Sequence, residues 1–214
     1  NIPALEPKDK LEPYLWLVDK LGLFVGAVIS GGISQIQVEY AGEIAQYNLA
    51  PLTTCAVKSI LSCIVEKEIV NLVNANILAG ERGIKVIESK TRQVQDFANL
   101  VTVIARAGTE EVAVAGTILS KNMMRIGSIN GVAFEIVPEG NFLVLKNQDR
   151  PGVIGYVGTL LGQNNINIAS MDVGRKSIGG EAIIVINIDT PVKKDILAQI
   201  QAYDGVTAVK AVVM

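Results

Sequence analysis

Residues 141–173, NFLVLKNQDRPGVIGYVGTLLGQNNINIASMDV, leave this chain few choices of fold. An apolar run from Phe142 to Leu145 ends in the polar cluster Asn147, Gln148, Asp149 and Arg150. Pro151-Gly152 follows, then an apolar-periodic run from Val153 to Leu161 that Gly162 closes, and a second strand-like run starts near Ile166. Proline just before a helix and glycine just after it are the expected punctuation of its two ends. The unit therefore reads strand, tight loop, helix, strand.

That loop has chemical consequences. A helix starting near Val153 leaves its first backbone N–H groups unpaired, and its aligned peptide dipoles make that end positive, so a small carboxylate suits it. Asp149 suits an ammonium group, and Asn147 and Asn167 offer directional hydrogen bonds. Receptors for carboxylate and ammonium so close together fit an amino acid. The commoner alternative is that Asp149 caps the helix and the asparagines satisfy loop backbone.

Half of the 214 residues are hydrophobic and 19% are charged, enough apolar surface for a sizeable core. Nineteen basic against twenty-one acidic residues, with no basic block and only 5% aromatics, argue against nucleic acid or an anionic membrane as partner. Histidine is absent, which removes His-based acid–base chemistry, Ser-His-Asp triads and most zinc sites. Cys55 and Cys63 fall on one apolar helical stretch. Helical rise holds them about 12 Å apart, too far to bridge, so both are expected as buried thiols of a reducing compartment. No metal site is expected. No apolar run approaches a membrane span, and a soluble, cytoplasmic protein is expected.

In chain order, residues 1–10 read as a linker remnant of a longer chain, and a helix is expected from about Leu11–Pro13 with Pro13 in its first turn. Ser34 to Ala41 alternates as a half-solvated strand. Helices are expected over 51–65 and 71–82, and strands over 84–89, 100–106 and 111–119. Asn130-Gly131 joins the strands 124–129 and 132–137 in a hairpin. The first 138 residues are thus expected as a mixed α/β domain, helices first and antiparallel strands after. Pro138-Glu139-Gly140 marks the expected boundary. Strand 142–148, helix 153–163, strand 166–174, strand 181–188, helix 191–202 and strand 206–213 then follow in βαββαβ order, the ferredoxin-like arrangement. Its exposed sheet face and edge strand favour pairing of two copies.

The segment NQDRPGVIGYVGTLLGQNNINIASMDVGR, followed by GGEAIIVINID, resembles the ACT domain of the D-3-phosphoglycerate dehydrogenase family. Upstream, VEYAGEIAQY, PLTTCAVKSIL, VNLVNANILAGERGIKV and INGVAFEIVPEGNFL resemble that family's intervening, allosteric substrate-binding domain. The resemblance implies an α+β chain with an intervening domain over 11–138 and an ACT domain over 141–214. It implies an NAD-dependent oxidoreductase that begins L-serine biosynthesis by oxidising 3-phosphoglycerate, with L-serine as feedback inhibitor in many members. This stretch has no G-x-G-x-x-G and no histidine, so NAD and catalysis would belong to a missing half, with no cofactor here. Carried over by position, L-serine would meet Asn147, Asp149, Pro151, Gly152, Val153 and Ile154, with Asn167 reaching across a homo-oligomeric ACT interface. Arg125 falls on one position of a basic effector pocket known in some members, but Val137 and Asn187 stand at other positions of it without charge. A module that only holds an oligomer together is the alternative. The regulatory part of an iron–sulfur L-serine dehydratase would need more cysteines than these two.

Overall fold

The computed structural model describes residues 8–65, 69–94, 97–120 and 123–214. The linker expected over 1–10 lies outside the described residues except at its end, where Lys8–Lys10 are already helical. Two compact units divide the chain at Gly131/Val132.

The first unit opens with α1 (Lys8–Val28), whose buried Leu17, Val18, Leu21 and Val25 carry the expected apolar stripe. It begins earlier than expected, so Pro13 lies inside the helix, where it removes one i→i−4 bond close to an end that has orphan groups anyway. Strand β1 (Gln35–Gly42) alternates buried and half-buried positions, with Ile36, Val38 and Tyr40 fully buried. A short 3-10 turn at Glu43–Gln46 leads to α2 (Ala50–Leu61), with Pro51 in its first turn. The helix expected over 71–82 is shortened to α3 (Ala75–Glu81), because Asn71 Oδ1 accepts the amides of Val73 and Asn74 and holds 71–74 as a turn. Within this unit, strands β2 (Lys85–Thr91), β3 (Asn99–Ala107), β4 (Glu110–Ile118) and β5 (Met124–Ile129) pair with β1 in the order β2-β1-β3-β4-β5.

One pairing departs from the expected antiparallel pattern. β1 and β2 run parallel, Gln35 opposite Lys85 through Ala41 opposite Thr91, with α2 and α3 forming the crossover between them. Tyr40 and Thr53 are joined through their hydroxyls at 3.0 Å, and Thr53 donates to Glu88 Oε2 at 2.5 Å, tying strand, crossover helix and edge strand together. Helices α1 and α2 meet along small residues. A Cβ on Gly22 would lie 2.8 Å from Ser59 Cβ, and one on Gly26 would lie 2.9 Å from the Ile60 carbonyl oxygen.

The cysteine expectation holds for one residue only. Cys55 is buried in the α1–α2 seam, and desolvation pushes its thiol up to about 11. Cys63 is exposed, since it lies beyond the end of α2. No described helix is long and apolar enough to cross a membrane.

The second unit starts with β6 (Val132–Ile136), ahead of the expected boundary at 138–140. Asn130 and Gly131 take φ of 50° and 74°, positive at both positions as a type I′ turn requires. β6 makes its contacts beside β8 (Ile168–Arg175), where Gly174 leaves room for Val132 and Phe134. The four-stranded antiparallel sheet orders as β10-β7-β9-β8, from β7 (Asn141–Gln148), β8, β9 (Glu181–Ile188) and β10 (Val206–Val213). Helices α4 (Val153–Gln163) and α5 (Lys194–Ala202) lie on one face. Leu143, Leu145, Ile184 and Ile186 of the sheet pack with Val157, Leu161, Ile196 and Ile200 of the helices. This is the βαββαβ arrangement read from the sequence.

Candidate functional site

The end of β7 builds the candidate site. Strand side chains alternate between faces, so Asn147 follows Leu143 and Leu145 on the helix-bearing side. Only 3% of Asn147 is exposed. Its Nδ2 donates to the Gln148 carbonyl at 2.8 Å, while its buried Oδ1 has no hydrogen-bond donor. A buried amide oxygen without a donor is costly, about 1–3 kcal/mol, and invites one.

The backbone then turns through Asp149–Gly152. Gln148 N–H donates to Gly205 O at 2.8 Å and Asp149 N–H to Gly180 O at 2.7 Å, so both neighbouring connections clamp the loop. Arg150 pairs with Asp204 at 2.7 Å. Gly152 sits at φ 101°, and a Cβ there would lie 3.2 Å from the hydroxyl of Tyr203, whose ring stacks on Tyr156. The positive φ makes glycine the fitting residue there, and the tight approach of Tyr203 adds to it. Gly152 is the N-cap of α4, and no side chain caps that helix end. Pro151 and Gly152 are exposed, Val153 is buried in the core and Ile154 is exposed.

Asp149 therefore does not cap the helix. Its Oδ2 accepts the Arg175 guanidinium at 2.5 Å and the Gly179 amide at 3.1 Å. Those bonds, the Arg175 one foremost, hold its carboxyl below the ordinary aspartate value. The expected ammonium position thus faces a cation supplied by the chain itself. Arg175 and Gly179 escaped the sequence reading, although an arginine ending a strand ahead of Gly179-Gly180 was a visible signal.

Asn167 lies elsewhere. Ladder register sets Ile168 and Asn141 on either side of Ile188, and Arg175 and Asn147 on either side of Ala182. The two ends are separated by six strand positions on β7, about 20 Å at strand rise. Asn167 Nδ2 donates there to Asp189 Oδ2 at 2.8 Å. One chain alone cannot bring Asn167 and Asp149 onto one small ligand. Arg125, on β5, donates through Nη1 to the Met124 carbonyl at 2.9 Å, and Asn187 donates to Glu139 O at 3.1 Å.

Comparison with known proteins assigns both units. Residues 10–130 match the family model described as the D-3-phosphoglycerate dehydrogenase intervening domain. Residues 142–205 match the ACT domain. The chain belongs to the D-3-phosphoglycerate dehydrogenase family. The intervening-domain match ends at residue 130, one residue before the last of the first compact unit, and the ACT match spans every candidate residue from Asn147 to Arg175. Among curated relatives, D-3-phosphoglycerate dehydrogenase of Synechocystis is 39% identical over 96% of this chain and 38% of its own length. The Archaeoglobus fulgidus protein of the same name is 36% identical over 96% of this chain and 40% of its own. That of Methanocaldococcus jannaschii is 35% identical over 99% and 40%. The chain thus spans about two fifths of the D-3-phosphoglycerate dehydrogenases it matches.

Proposed function

We propose that this chain is the regulatory region of a cytoplasmic D-3-phosphoglycerate dehydrogenase, and that its ACT domain binds L-serine between two copies as a feedback signal. The parent enzyme would oxidise 3-phosphoglycerate with NAD, at the first step of L-serine biosynthesis, using residues outside this stretch. The observation that carries the sensor reading is the donorless, buried Oδ1 of Asn147, two residues along the chain from Asp149 and a few residues ahead of the start of α4, which no side chain caps. An α-amino acid supplies both things that this corner lacks. Its ammonium donates to amide and carboxylate oxygens, and its carboxylate accepts from the first N–H groups of α4 at Val153 and Ile154.

Asn167 fits the same reading only from a second copy, because about 20 Å of strand separates it from Asp149 within one chain. Two-fold pairing would create two equivalent sites, each built from both copies. Control then requires that L-serine bind one geometry of the pair better than another. We assign Arg125 no effector.

The Asp149–Arg175 ion pair favours a second reading, in which the carboxylate is already satisfied and the region only assembles the oligomer. Calorimetric titration with L-serine, using glycine and D-serine as controls and Asp149→Ala beside the parent chain, separates the two. Stereoselective heat that the substitution abolishes supports the sensor. A folded dimer that gives no heat leaves the assembly reading.

A further inference from the structure

We propose that Arg175 is a built-in competitor for the effector's ammonium group, setting the affinity of the site and linking its occupancy to the β8–β9 hairpin. The inference rests on the amino-acid reading of Asp149 and adds a residue to it. Arg175 is the last residue of β8, and Gly179 lies in the connection to β9. Both donate to the same oxygen, Asp149 Oδ2, while Asp149 N–H donates to Gly180 O. Three bonds therefore join the β7–α4 loop to one hairpin, and two of them end on one oxygen of the carboxylate that would receive an ammonium group.

An ammonium ion approaching Asp149 meets a carboxylate that a guanidinium has already neutralised. It must either displace Arg175 or bind against the repulsion of a second cation at contact distance. Either course weakens binding. The Arg175 side chain is 49% exposed, so displacement releases it into water and the ion pair it gives up is a modest one. Displacement also removes one of the hairpin's ties to the effector loop. Arg175 ends β8, the last strand of the four-stranded sheet, so the signal starts at the edge of that sheet, beside β6. The same coupling works in reverse, since whatever holds the hairpin against Asp149 opposes the effector.

The test is calorimetric titration of L-serine into the unsubstituted protein, Arg175→Ala and Arg175→Gln, at low and at moderate salt. Removal of the guanidinium should tighten binding about two- to fivefold, the scale of an exposed ion pair. General damage to the hairpin would weaken binding, so tightening is not an outcome of misfolding. Equal or weaker binding by both variants, with unsubstituted protein that binds, overturns the competitor role and leaves the sensor reading standing. No binding by any of the three proteins removes both.

Discussion

Asp149 shows how one contact sets the acid behaviour of a side chain. Its carboxyl is held below the ordinary aspartate value of about 3.9 by hydrogen bonds to Arg175 and Gly179. A depressed folded-state value means that the tie between loop and hairpin is fully present above the ordinary value and is lost as pH falls through the folded one. Carbon-detected NMR of the Asp149 carboxyl should therefore show a midpoint below the ordinary range, and Arg175→Ala should move it upward. An unmoved midpoint would mean that the ion pair does not persist in solution. Asn147 is the complementary case, an amide half satisfied by its own strand and half left open.

Among the elements, the α1–α2 seam decides how tightly the first unit closes. Gly22 and Gly26 let the helices approach until a Cβ at either position would overlap Ser59, the Ala56 carbonyl or the Ile60 carbonyl. Beside them, Asp19 accepts from Lys58 at 3.0 Å and from the fully buried Ser59 hydroxyl at 2.5 Å, which fixes the register of the pair. Gly22→Ala gains helix propensity of about 1 kcal/mol. It should still lower stability by about 1–3 kcal/mol, as overpacking against backbone usually does. Urea denaturation followed by circular dichroism would measure the change, and a stabilised variant would show that the helices can move apart cheaply.

For the whole molecule, the consequence lies in the separation of the two sheet ends. On the proposed reading each effector site takes Asp149 from one copy and Asn167 from another. Asp149→Ala and Asn167→Ala should each abolish L-serine binding alone. Mixed and re-equilibrated, they should recover it, because a mixed pair contains one site with both residues intact. Calorimetry on the mixture should approach one site per mixed pair. No recovery, with mixed pairs confirmed by native mass spectrometry, would show that the two residues do not share a site.

Much of this architecture was legible in local signals. Pro151-Gly152, the Asn130-Gly131 turn and the alternation in 34–41 mark elements through dihedral preference and side-chain period, which depend on neighbours a few residues apart. They located the βαββαβ order and placed Asn147 and Asp149 at the end of a strand before a helix. Gly162, expected to close α4, instead lies inside it, and Asn165 takes the positive φ after the helix. Three matters were decided only in the folded chain. β1 pairs in parallel with β2 across the α2–α3 crossover, Arg175 reaches Asp149, and Asn167 lies at the far end of the sheet. Each depends on strand order and register between residues distant in sequence. Alternation specifies which face a side chain occupies, but it carries no record of which strand lies beside it.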